Sequence, residues 1–219
     1  MGIEIDLMSK YPRAKRDLSS RKAMKTQEHK DIARQFGKDF FDGDRNYGYG
    51  GYSYLPHYWK ETVKEFVRYY NLNKDSKILD VGCGKGFMLY DFLMEVPGIK
   101  VEGIDISSYA IENGKPEVKN FLKVANATEL PYADHSFDLV VSITTVHNLN
   151  RIDCAKSLKE IMRVTKKDAF ITVDAYRDDE EKERMDAWNL TALTYMHTEE
   201  WKEFFKENHY TGDYFWFLP

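Results

Sequence analysis

The chain has 219 residues, a net charge of -4 and a pI of about 5.9, which is length enough for one sizeable core and no global electrostatic case for nucleic acid. No run of about 18 apolar residues marks a membrane span, and no apolar signal core opens the sequence. The two cysteines, Cys83 and Cys154, lack metal-ligand spacing, so a cytoplasmic protein with reduced thiols and no metal is expected.

In chain order, residues 10–30 are rich in Lys and Arg and poor in apolar side chains. A solvated helix is the ordinary reading of such a run, and anion contact is the alternative. Phe40 and Phe41 then lead into Tyr47-Gly48-Tyr49-Gly50-Gly51-Tyr52-Ser53-Tyr54, which has low helix propensity and no apolar stripe. It reads as a flexible loop loaded with aromatic faces and phenol hydroxyls. Pro56 opens a helix whose stripe is Trp59, Val63, Phe66, Val67 and Tyr70. Residues 1–57 are therefore expected to be an extension with a Tyr/Gly-rich lid, not an independent domain, ahead of one domain over 58–219.

The most informative stretch follows: Ile78-Leu79-Asp80-Val81-Gly82-Cys83-Gly84-Lys85-Gly86, then Phe87-Met88-Leu89. It reads as strand, tight turn and helix start, with glycines where the backbone turns sharply or approaches a ligand. A Walker loop needs Ser or Thr after Gly-Lys, and Gly86 stands there. The dinucleotide fingerprint spaces its glycines differently, and a carboxylate at Asp80 would repel a pyrophosphate. That carboxylate suits a cofactor with an ammonium group.

Further strand signals lie at 100–106, 120–124, 137–143 and 169–175, separated by helical patterns such as 153–164. Asp105 ends the second strand about 19 residues past Gly86, close to the spacing of an acid that grips ribose hydroxyls. A charged helix is expected over 178–190, a strand within 191–197, a helix capped by Thr198, and a last aromatic strand at 213–218. The alternation implies an α/β, Rossmann-like, doubly wound and mostly parallel sheet of six or seven strands, helices on both faces, plus the N-terminal helical and loop extension.

Acid-x-Gly-x-Gly-x-Gly at Asp80 to Gly86, Asp105, the Asn126-Ala127 pair, the Leu130-Pro131 loop and Phe137-Asp138-Leu139-Val140 together resemble the class I S-adenosylmethionine-dependent methyltransferases, over roughly residues 76 to 175. The resemblance implies S-adenosylmethionine as cofactor, with Asp80, Gly82, Cys83, Gly84 and Gly86 around its amino-acid end. It places Asp105 at the ribose, Ile106 on the adenine face, Asn126 and Ala127 at the adenine edge, and Ser142 at the end of the fourth strand. Asn126 replaces the family's usual acid. Members of the family usually end in a two-strand hairpin, whereas only one final strand is clear here. A short sheet would leave an apolar edge for a second copy of the chain, so a homodimer is one expectation.

Methyl transfer needs the nucleophile held in line and water kept out. Tyr47, Tyr49 and Tyr52 could do this as a lid, their faces also favouring a cation; a packed surface loop is the alternative. His147, just beyond the fourth strand, is the candidate general base. Asp174, Tyr176, Trp188 and Asn189 are candidates for the acceptor pocket, with packing the competing role. The expected reaction is methyl transfer to N or O of a small molecule by in-line displacement. An RNA methyltransferase, a non-catalytic cofactor-binding partner protein and, last, an oxidoreductase are the alternatives.

Overall fold

Alternation along the strands decides the two faces of the sheet. In the computed structural model, which describes residues 2–12 and 26–219, seven strands form one sheet. They are β1 (Lys77–Val81), β2 (Lys100–Asp105), β3 (Leu122–Val124), β4 (Phe137–Ile143), β5 (Thr165–Tyr176), β6 (Met196–His197) and β7 (Asp213–Phe217). The order runs β3-β2-β1-β4-β5, and β5 pairs with β7 along 170–174 and with β6 at Ala175 and Tyr176. All of these pairings are parallel.

The helices are α1 (Gln27–Ala33), α2 (Lys38–Asp42), α3 (Pro56–Tyr69), α4 (Phe87–Glu95), α5 (Ser108–Glu112), α6 (Arg151–Val164), α7 (Asp179–Trp188) and α8 (Thr198–Glu207). Ile78, Leu139, Val141 and Phe170 bury one sheet face against Val63 and Phe66 of α3 and Leu89 and Phe92 of α4. Their neighbours Leu79, Val140 and Ile171 bury the other against Leu158 and Ile161 of α6 and Trp201 and Phe205 of α8. The period of two puts successive side chains on opposite faces, and each fully buried Leu, Ile or Phe contributes roughly 1.5–3 kcal/mol.

At the C-terminal end the strand expected within 191–197 is the two-residue β6, and β7 runs parallel to β5, so among the described residues no antiparallel hairpin closes the sheet. One expectation changes. The cap of α8 is His197 rather than Thr198: its Nδ1 accepts from Glu199 N–H at 3.2 Å, and Glu200 accepts from the His197 N–H at 3.2 Å.

The edge of β7 is partly covered by the chain's own N-terminal segment. Ile5 N–H donates to the Tyr214 carbonyl at 2.9 Å, and Tyr214 N–H donates to the Ile3 carbonyl at 3.1 Å. Leu7 and Met8 then bury themselves under α3 and α4. The edge that motivated a homodimer is thus partly covered, because Ile3 and Ile5 satisfy the backbone groups of Tyr214. No helix among the described residues is long and apolar enough to cross a membrane.

β1 lies between β2 and β4, so the chain leaves its carboxyl end and that of β4 in opposite directions. Such a switch point opens a crevice at the carboxyl ends of parallel strands, the usual ligand position in this architecture.

Candidate active site

The loop from β1 to α4 lines that crevice. Gly82 (φ 86°), Gly84 (φ 54°) and Gly86 (φ 76°) are all left-handed. Gly82 and Cys83 N–H groups both donate to the Ile104 carbonyl, at 2.8 and 3.0 Å, tying the loop to β2. A Cβ at Gly82 would meet Thr145 Oγ1 at 2.1 Å, so the loop after β4 also demands glycine there. The Cys83 side chain turns into the core beside Gly103, and burial pushes its thiol well up; only its backbone belongs to the loop.

Two buried carboxylates stand at the strand ends. Asp105 accepts from Gly84 N–H on Oδ2 and from Ser107 N–H on Oδ1, each at 2.8 Å. Burial raises its pKa, and these backbone bonds pull the other way. Burial and the charge of Asp105 push Asp80 up to about 8. A carboxyl held in that state gains most from a cation, because an ammonium group alongside restores its ionised form. The glycine cradle and Asp80 therefore fit the amino-acid end of S-adenosylmethionine.

The remaining cofactor candidates divide. Ile106 is 56% exposed at the end of β2, free of the core and available as an apolar face. Asn126 Oδ1 accepts from Thr128 N–H at 3.0 Å, so the side chain shapes its own turn. Ala127 packs at the margin of the core. Ser142 is fully buried and donates to the Val81 carbonyl at 3.0 Å; it ties β4 to β1 instead of facing the crevice.

The Tyr/Gly segment is organised by contacts. Phe41 of α2 is buried against Tyr49 and Tyr52, whose rings lie 4.3 Å apart. Tyr52 stacks on Phe87 at 4.9 Å, and a Cβ at Gly84 would meet its ring at 3.2 Å. Burial, then the neighbouring Tyr49, Tyr11, Asp80 and Asp105, push the Tyr52 phenol well up. Tyr49 keeps 42% of its surface open, yet burial of its hydroxyl and the charge of Asp105 outweigh Arg45 and push it up to about 12. Tyr54 donates to Asp91 of α4 at 2.7 Å. Tyr47 points elsewhere, edge-on to His29 of α1. Of the three candidate lid tyrosines, Tyr52 thus reaches the glycine loop, Tyr49 packs on Tyr52, and Tyr47 does neither.

The acceptor-side candidates are mostly structural in their contacts. His147 is buried; its Nδ1 accepts from Asp174 N–H at 3.0 Å and its Nε2 lies 3.6 Å from Asp174 Oδ2. The Nδ1 lone pair is thus taken by that bond, and burial lowers the pKa and keeps the ring neutral, a poor arrangement for a general base. Asn189 clamps its own loop, exchanging two 2.8 Å bonds with Ala192. Trp188 stacks on Phe217 and Tyr176 sits edge-on to His197. Nearer the crevice, Thr144 holds φ 50° at the end of β4, a strained position for a β-branched residue. Phe41, Phe87 and Thr145 were not marked in the sequence as site residues, since their roles arise only from contacts across the fold. Most of the basic run at 10–30 falls at 13–25, outside the described residues.

A family model described as a methyltransferase domain matches residues 72–211. The chain belongs to that family, and its sheet and helices form the Rossmann-like fold of class I S-adenosylmethionine-dependent methyltransferases. It is 35% identical over 126 residues to demethylmenaquinone methyltransferase of Symbiobacterium thermophilum, over 53% of this chain and 49% of that one. It is 43% identical over 93 residues to phosphoethanolamine N-methyltransferase 1 of Zea mays, over 39% of this chain and 18% of that one. The chain thus spans about half the length of these curated relatives, or less. The crystal structure of the YcgJ protein from Bacillus subtilis shares the fold at a TM-score of 0.56 and 19% identity, over 67% of this chain and 66% of that one.

Proposed function

We propose that this chain transfers the methyl group of S-adenosylmethionine to a nitrogen or oxygen atom of a small-molecule acceptor. The observation that carries the reading is the cover of Gly84 by Tyr52 and Phe41, with Tyr49 packed on both, beside two buried carboxylates, Asp80 and Asp105. A sulfonium cofactor supplies an electrophilic methyl group, and in-line displacement then asks chiefly for positioning and dryness. In this reading Asp80 and the glycine-loop backbone hold the ammonium end, and Asp105 offers its remaining lone pairs to ribose hydroxyls. Ile106 covers the adenine face, with Asn126 and Ala127 at its edge. Tyr49 and Tyr52 exclude water and turn their oxygens toward positive charge. His147 braces the loop after β4 against β5, so an amine acceptor delivered neutral suits the site better than a hydroxyl that needs a base.

The small-molecule class is supported by the relatives' names, which specify a demethylmenaquinone and a phosphoethanolamine. Residues 1–57 are read as the cover of the site, and 58–219 as the domain that holds the cofactor. The test is formation of S-adenosylhomocysteine on incubation with S-adenosylmethionine and a panel of small amines, phenols and quinols. Turnover with at least one acceptor, abolished by Asp80→Asn, is the expected result. Cofactor binding without turnover on any of them would favour a non-catalytic partner protein.

A further inference from the structure

The Tyr/Gly segment is tied to the glycine loop through one carboxylate that neither the cofactor chemistry nor the family motif calls for. Asp42 is the last residue of α2. Its Oδ2 accepts from Lys85 Nζ at 2.6 Å and from the Tyr109 hydroxyl at 2.7 Å, and its Oδ1 accepts from Tyr52 N–H at 2.9 Å. Lys85 Nζ donates in addition to the Tyr52 carbonyl at 2.9 Å. Both backbone groups of Tyr52 are therefore gripped, one by each member of an ion pair. Lys85 itself stands between Gly84 and Gly86, its side chain only 10% exposed.

Charge-assisted bonds of this length are the strong kind, and a lysine so enclosed depends on its partner. The partner arrives only with the lid: Asp42 and Tyr52 both precede the cofactor domain, whereas Lys85 and Tyr109 lie within it. Release of the lid would leave both charges to water, where the pair is worth little. The same grip fixes where the Tyr52 ring sits, 3.2 Å from the position of a Cβ on Gly84.

We propose that Asp42 and Lys85 form a latch that holds Tyr52 over the cofactor crevice and governs cofactor release, Asp42 acting as a positioning residue. The proposal rests on the cofactor reading above for the ligand, and on the hydrogen bonds alone for the latch. Asp42→Asn and Lys85→Met each cut the ion pair from one side. With radiolabelled S-adenosylhomocysteine chased by unlabelled ligand, each variant should release it about tenfold faster than wild type, as expected of a change acting mainly on dissociation. The double variant should fall short of the combined effect of the two single ones, because Asp42 and Lys85 share the ion pair while each keeps its own bond to Tyr52. Wild-type release rates in both folded variants, or additive losses, would overturn the latch. Chymotryptic cleavage after Tyr47 and Tyr49, mapped by mass, reads lid closure without any ligand. It should rise in both variants while their far-UV spectra stay native, and equal cleavage in all forms would also overturn the latch. A wild-type protein that binds no S-adenosylhomocysteine would instead sink the proposed function and the release role, with the cleavage pattern still deciding whether the lid is latched.

Discussion

His147 Nδ1 accepts a hydrogen bond from the backbone N–H of Asp174 at 3.0 Å, joining the loop after β4 to the end of β5. The His147 carbonyl also accepts from Leu193 and Thr194 N–H, at 3.0 and 2.9 Å. Three chain segments therefore meet on one residue. Burial lowers its pKa, with the Asp174 carboxylate opposing.

His147→Ala should consequently act on stability before chemistry. It leaves a buried N–H without its partner, which costs roughly 1–3 kcal/mol. A neutral buried histidine also makes the wild type lose stability as pH falls below about 6.5, since the unfolded state then binds more protons. The variant should melt several degrees lower at pH 7.5 and show a flatter stability profile in acid, by calorimetry. Its kcat–pH profile should keep the wild-type shape; a missing acidic limb in a folded variant would restore the base role.

Asp80 predicts a proton-linked cofactor. Its pKa of about 8 means the carboxyl is mostly protonated at pH 7 in the free protein. A raised carboxyl pKa binds more protons in the folded state, so this residue lowers stability as pH rises from about 4 to 8. A bound ammonium group restores the ionised form, and binding at pH 7 should release about one proton. Titrations of S-adenosylmethionine in buffers of different ionisation enthalpy measure that number. Asp80→Asn should weaken binding and abolish the release while making the free protein's stability less sensitive to alkali.

The three lid tyrosines should behave differently. Tyr52→Ala removes a ring stacked on Phe87 and over Gly84, and Tyr49→Ala removes its neighbour. Each should raise the dissociation constant for S-adenosylhomocysteine, with Tyr52→Ala the more severe and Tyr52→Phe milder because the stack remains. Tyr47→Phe should match wild type in binding and turnover, since that ring packs on His29. Equal effects from all three would mean the lid does not sit as described.

Gly84→Ala separates loop geometry from lid contact. A Cβ there is strained at φ 54° and presses on the Tyr52 ring at 3.2 Å. Left-handed backbone costs a non-glycine residue roughly 1–2 kcal/mol. A melting point a few degrees lower and a clear loss of cofactor affinity are expected. Gly82→Ala should be worse for folding, because its Cβ would meet Thr145 Oγ1 at 2.1 Å.

The partly covered edge of β7 predicts a monomer. Light scattering at micromolar concentration should give a single mass near 25.8 kDa. Deleting residues 2–8 would expose the backbone groups of Tyr214 and the apolar surface under Leu7 and Met8, and should provoke association. A dimeric full-length chain would return the homodimer expectation on other grounds.

The sequence by itself determined the methyltransferase family and most of the fold. Left-handed glycines, an acid at the end of a strand and alternating apolar residues are local requirements, met within a few residues of one another. The placement of Asp80 at the end of β1, of Gly82, Gly84 and Gly86 in the turn after it, and of Asp105 at the end of β2 was therefore legible in the sequence. Tertiary structure alone decided which tyrosines reach the crevice, that Asp42 meets Lys85 across 43 residues of chain, and that His147 and Ser142 brace strands. It also decided that residues 3–5 meet the edge of β7, 210 positions away at Ile3 and Asp213. Those outcomes depend on where a side chain points once distant segments have packed, and no local pattern of residues encodes that direction.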